Sequence, residues 1–119
     1  MYESGENYLE TIYRLHRSKG FVRSIDVARA LNVSKPSVSR AMSILREGGF
    51  IHFGDGGEII LTEAGNQKAA DIYSRHVLLT DFLMRVAGVP AEVAESNACR
   101  IEHIVDEDVV QGIRRFMEQ

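Results

Sequence analysis

The stretch SIDVARALNVSKPSVSRAMSILREGGF, followed by IHFGDGGEIIL, narrows the fold more than any other part of the chain. It reads as two short helices. The first starts at a cap, Ser24, and turns Ile25, Val27, Ala28 and Leu31 inward. LNV makes a tight connection. The second starts at cap Ser34 and carries Pro36 in its first turn, where a missing N–H costs nothing. Its inner stripe is Val38, Ala41, Met42 and Leu45, and Gly48–Gly49 ends it. A β-hairpin comes next, with strands Phe50–Phe53 and Glu58–Leu61 around the turn GDGG, whose glycines allow positive φ. Helix, short turn, helix and hairpin in that order make a winged helix-turn-helix.

The rest of the chain is helical. ENYLETIYRLHRSKG has Tyr8, Leu9, Ile12, Tyr13 and Leu15 at helical spacing, with Ser4 as its cap and Gly20 just past its end. Thr62 caps a long helix that Gly88 closes. Pro90 opens another, which runs to about Val105, and Asp106 caps a last one. The expected fold class is mainly α with a small β-wing. The expected domains are a winged helix-turn-helix over residues 1–62 and a helical region over 63–119. With 119 residues the chain can bury a core without disulfide or metal staples.

Charge divides the chain. Residues 1–53 carry eight Lys/Arg against five acids, and residues 54–119 carry six against twelve. A basic first half suits a polyanion. The second short helix presents Ser34, Lys35, Pro36, Ser37, Ser39 and Arg40 at its start. Short side chains let a helix end approach the major groove, and hydroxyls and N-terminal N–H groups can take phosphates. Arg40 can reach a guanine edge or a phosphate, and Pro36 offers an apolar face to a thymine methyl. Any one of these residues is equally compatible with a cap or a solvated surface. The complete order of elements points to double-stranded DNA.

A second constellation lies near the end. NACRIEHIVDED places Cys99, Glu102 and His103 at i, i+3 and i+4, one face of a helix. Thiolate and imidazole suit the softer divalent transition metals, and a carboxylate suits Mn²⁺ and Fe²⁺. The spacing alone is a common one. His76 sharpens it, because it falls in the apolar stripe Ala69, Ile72, His76, Leu79, Leu83 and Val86 of the preceding helix. A buried histidine held by a hydrogen bond is the plainer reading of His76. Glu10 and Asn7, on the first helix, can add oxygen donors.

These segments together resemble the iron- and manganese-dependent repressors of the diphtheria toxin repressor and manganese transport regulator type, over essentially the whole chain. ENYLETIYRL is similar to their first helix and VSKPSVSRAMSILREGGFI to their recognition helix. LTEAGNQKA is similar to the segment leaving the wing. SRHVLLTDFL and ACRIEHIVDED resemble their two metal-ligand segments. The resemblance implies a homodimeric repressor that binds a palindromic operator when loaded with Mn²⁺ or Fe²⁺, and whose regulated genes serve metal uptake. Co²⁺, Ni²⁺ or Zn²⁺ are expected to substitute in vitro.

By the same resemblance His76, Glu102 and His103 match ligand positions of both subgroups. Cys99 matches a cysteine of the iron type, and Glu10 a first-helix carboxylate of the manganese type. Asn7 stands where the iron type has methionine and the manganese type aspartate. Glu95 and Thr80 replace a histidine and a glutamate of the iron-type ancillary site, which is expected to be altered or absent. The expected architecture is the short form, without the SH3-like third domain.

Other functions fit less well. A redox-sensing regulator acting through Cys99 is the alternative, but Glu102 beside the thiol opposes the thiolate it needs. Catalysis is not expected, since no oxyanion-donor loop adjoins Cys99 and His103. The single cysteine suits a reducing cytoplasm. MYESGENYLE lacks the basic start and apolar core of a signal peptide. The expected location is therefore the cytoplasm, with neither a membrane nor a small-molecule substrate as partner.

Overall fold

The computed structural model describes residues 3–119. Met1 and Tyr2, part of the stretch read as lacking a signal peptide, lie outside the described residues. The elements run α1 (Glu3–Lys19), α2 (Ser24–Leu31), α3 (Lys35–Glu47), β1 (Ile51–Phe53), β2 (Ile59–Leu61), α4 (Glu63–Val86), α5 (Ala91–Ile101) and α6 (Glu107–Met117). The chain is thus mainly helical with one small antiparallel sheet. It divides after Ala70, inside α4, into two compact units.

The first unit is built around one core. Leu9 and Ile12 of α1, Val27 and Ala28 of α2, and Val38, Met42 and Leu45 of α3 meet there with Val22, Ile51, Ile59 and Ala69. Each Val, Leu, Ile or Met side chain among them contributes roughly 1.5–3 kcal/mol when fully buried, which is why the predicted stripes settle on one another. The strands pair Ile51 with Leu61, His52 with Ile60 and Phe53 with Ile59. The wing is tied down at two more points. The Ile59 N–H donates to the Val22 carbonyl at 2.7 Å, and His16 Nε2 donates to the Ile59 carbonyl at 2.9 Å.

Several boundaries differ from the sequence reading. Both strands are one residue shorter, because Phe50 and Glu58 fall outside the paired register. Ser4 lies within α1 rather than capping it. Arg23, not Ser24, is the N-cap of α2, and the Asp26 carboxylate accepts its N–H at 2.8 Å. Ile25, at the rim of α2, is exposed instead of buried. Ser34 does cap α3, accepting the Ser37 N–H at 3.2 Å. The Thr62 hydroxyl accepts the Gly65 N–H at 3.0 Å at the start of α4. Gly65 is required there, since a Cβ would overlap the Phe50 carbonyl oxygen.

The second unit combines the rest of α4 with α5 and α6. Its buried apolar residues are Ile72, Leu79, Ala94, Ala98 and Val110. Phe82 and Phe116 meet edge to face, with ring centroids 6.4 Å apart. The stripe predicted on α4 is buried at Ile72, His76 and Leu79, but its last member, Val86, is exposed. α5 ends at Ile101, short of the expected Val105. Residues 102–104 form a tighter turn, in which the Ile104 and Val105 N–H groups both donate to the Ile101 carbonyl.

Candidate metal centre and nucleic-acid surface

His76 reaches its position because α4 carries it on the same face as Ile72 and Leu79. Glu102 and His103 reach theirs because α5 ends immediately before them. The three side chains are 6%, 0% and 2% exposed, respectively. His76 Nδ1 lies 2.7 Å from Glu102 Oε2. His103 Nε2 lies 3.3 Å from Glu102 Oε1. One carboxylate therefore hydrogen-bonds one imidazole and lies close to a second. The Tyr73 ring stacks beside His76 at 6.4 Å.

The His76 imidazole and the Glu102 carboxylate, both out of water, are donors that Mn²⁺ and Fe²⁺ accept, and the His103 imidazole adjoins the same carboxylate. Buried ionisable groups need such compensation, because desolvation of an unpartnered charge is expensive. The residues present therefore fit a divalent metal.

The other predicted ligands differ in setting. Cys99 lies on α5 and is exposed, in contrast to Glu102 and His103. Glu10 and Asn7 belong to the first unit, three residues apart on α1. Glu10 is 3% exposed, with the Arg14 guanidinium 3.9 Å away. Asn7 is half-buried, and its backbone carbonyl accepts the Thr11 hydroxyl at 2.8 Å. Glu95 is exposed. The Thr80 hydroxyl is buried and has no hydrogen-bond partner among the described residues.

On α3 the predicted reading residues form a surface. Ser34, Lys35, Pro36, Ser37, Ser39 and Arg40 are all exposed. Ser34 Oγ caps the helix and donates to Ser37 Oγ at 2.9 Å, so these hydroxyls both order the helix start and face outward. Among the described residues neither Lys35 nor Arg40 makes an ion pair or hydrogen bond within the chain. Arg46 differs, lying over the Phe53 ring at 5.8 Å. His52 is exposed on the wing.

Arg75 escaped the sequence reading. An arginine one residue before a buried histidine looks like an ordinary solvent-facing charge, and no local signal marks it otherwise. Its Nη1 donates to the Val105 carbonyl at 2.8 Å and to the Glu102 carbonyl at 3.3 Å. Its Nη2 donates to Glu107 Oε2 at 2.6 Å.

Residues 1–56 match the iron dependent repressor N-terminal DNA binding domain, and residues 62–119 match the iron dependent repressor metal binding and dimerisation domain. The chain is 32% identical over 114 residues to the transcriptional regulator MntR of Escherichia coli O6:H1, covering 96% of this chain and 73% of that one. It is 32% identical over 115 residues to the iron-dependent repressor IdeR of Mycobacterium tuberculosis, covering 97% of this chain and 50% of that one. The solved structure of T. acidophilum IdeR superposes with a TM-score of 0.85 at 28% identity, over 96% of this chain and 54% of that one. The chain thus spans about half the length of these two IdeR proteins. The relatives it matches are transcriptional regulators, not enzymes.

Proposed function

Since the chain belongs to the iron-dependent repressor family, we propose that it is a divalent-metal-dependent repressor that binds a palindromic operator as a homodimer when loaded with Mn²⁺ or Fe²⁺. Control of metal uptake genes, in the cytoplasm, is the role this reading assigns to it. The observation that carries the proposal is the buried cluster of His76, Glu102 and His103, in the half matched to metal binding.

His76 and His103 offer imidazole nitrogens, and Glu102 offers carboxylate oxygens. Glu10 and the Asn7 side-chain carbonyl are proposed as further ligands. Three residues apart on α1, the two share a face of the helix, and each offers an oxygen donor. Cys99 is proposed to tune metal choice, as thiolate favours the softer ions over Mn²⁺. When bound, a divalent ion supplies the positive charge that makes this set of donors mutually favourable.

On DNA, Ser34, Ser37, Ser39 and the α3 N-terminus take phosphates, while Lys35 and Arg40 supply the long cationic reach and Pro36 an apolar contact. Their exposure supports this assignment. Homodimerisation is supported by apolar residues left exposed in the second unit. Val77 and Met84 on α4, and Val109 and Phe116 on α6, lie seven residues apart on their helices and so share a face on each. A twofold dimer would offer its two α3 helices to successive major grooves of the operator.

The test is a fluorescence-anisotropy titration of a duplex selected from a random library in the presence of Mn²⁺. Mn²⁺ or Fe²⁺ should tighten binding under anaerobic reducing conditions. His103→Ala should abolish the metal response with the fold intact. A variant that still responds at wild-type metal concentrations would refute the assigned site.

A further inference from the structure

Arg75 has no part in the reading above, yet it makes three polar contacts beside the buried cluster. Its side chain is 16% exposed, and it stands on α4 directly before His76. The guanidinium gathers two carbonyls, of Glu102 and Val105, and the carboxylate of Glu107. The last carbonyls of a helix and of the turn after it have no partner within the helix. Here a single planar group satisfies two of them. It also anchors the first turn of α6, where Glu107 sits. The Glu107 carboxyl is accordingly held below the usual carboxylate range, by the Gln111 hydrogen bond first and by Arg75 next.

The segment so clamped is Glu102–Val105, which carries two of the three members of the cluster. It touches α4 through two adjacent side chains. His76 meets the Glu102 carboxylate at 2.7 Å, and Arg75 meets the Glu102 and Val105 backbone. Side-chain and backbone contacts thus fix the same turn on the same helix. Without Arg75 the turn would lose its backbone anchor, and the spacing of His76, Glu102 and His103 would no longer be set.

We propose that Arg75 is a positioning residue for metal binding, which holds the 102–105 turn in register with His76. The role rests on the metal-dependent reading given above. Lysine cannot fill it, because an ammonium is a compact point charge without the planar fork that spans two carbonyls and a carboxylate. Partners that orient metal ligands in this way typically change metal affinity by about 10–100-fold when removed.

The test uses the full chain without DNA. Mn²⁺ affinity is measured by competition with a fluorescent chelator, and the Co²⁺ absorption spectrum is recorded at saturation. Arg75→Met should bind Mn²⁺ at least about tenfold more weakly and show altered Co²⁺ bands, with the circular dichroism of the metal-free protein unchanged. Arg75→Lys should show the same loss, and it stands as the informative variant where Arg75→Met does not fold. A merely stabilising contact would lower the melting temperature of the metal-free protein and leave Mn²⁺ affinity and the Co²⁺ spectrum at wild-type values. That result overturns the proposal. Wild-type protein that binds neither Mn²⁺ nor Co²⁺ overturns the metal reading itself, and the role of Arg75 with it.

Discussion

Glu102 is the residue on which the candidate site turns. Its wholly buried carboxylate hydrogen-bonds His76 at 2.7 Å and lies 3.3 Å from His103 Nε2, so its loss removes the group that both imidazoles adjoin. Cys99, three residues earlier, has the opposite setting and is exposed. On the proposed assignment, Cys99→Ser replaces a soft donor by a weak hard one. Affinity for Co²⁺ and Zn²⁺ should then fall by about tenfold or more, while Mn²⁺ affinity changes little. Competition titrations with the three ions check this, and a uniform loss would remove the thiol from metal selection. In the first unit the sharpest single-residue constraint is Gly65, where a methyl group would overlap the Phe50 carbonyl oxygen. Gly65→Ala should destabilise the protein by about 1–3 kcal/mol or more, as overpacking at rigid backbone does. A lower urea midpoint is the expected result, and an unchanged one would mean that the start of α4 shifts freely.

At the scale of elements, local chemistry sets where helices start. Asp26 caps α2 through the Arg23 N–H and pairs with Lys19 Nζ at 2.8 Å. The Lys19 hydrogen bond, then that of Arg23, holds the Asp26 carboxyl below its ordinary value. A depressed carboxylate contributes stability above its unfolded pKa, about 4, and that contribution is lost as pH falls through the lower folded value. Asp26→Asn should therefore flatten part of the loss of stability on the acid side of pH 4, measured by urea unfolding at a series of pH values. Identical pH profiles would show that the pair is too well solvated to matter. Caps and periodic stripes are local, and for that reason α3, with Ser34 and its Val38–Met42–Leu45 face, was legible in the sequence. The end of α5 was not. Arg75, 27 residues before Glu102, donates to the carbonyl there, a tertiary contact that no window along the chain reveals. Ile25 and Val86 were misjudged for a related reason. Periodicity assigns a residue to a helix face but does not say whether another element covers that face. The pairing of His76 with Glu102 was legible only as two separate helix faces; the 2.7 Å contact follows from how α4 packs on the turn after α5.

For the whole molecule the decisive question is how two weak reading surfaces become one specific binder. The first half carries only three net positive charges in a chain whose total is −3. A single α3 with Lys35 and Arg40 neutralises few phosphates, so one copy should bind DNA weakly and with a shallow salt dependence. Joining two copies makes the second contact intramolecular and can raise affinity by about 10²–10⁴ without any new contact to DNA. The proposed joint is the exposed apolar face that includes Val109 on α6, which is 49% exposed. Val109→Glu places a charge there without touching the buried Val110, the cluster at Glu102 or the α3 surface. It should convert the dimer to monomers in sedimentation velocity while leaving helical content and Mn²⁺ affinity at wild-type values. Operator affinity at saturating Mn²⁺ should drop by about 100-fold or more, and the slope of log K against log salt should shrink toward half, as half the phosphate contacts are lost. A monomeric Val109→Glu protein with undiminished operator affinity would mean that one reading head suffices, and the dimeric mechanism would have to be abandoned.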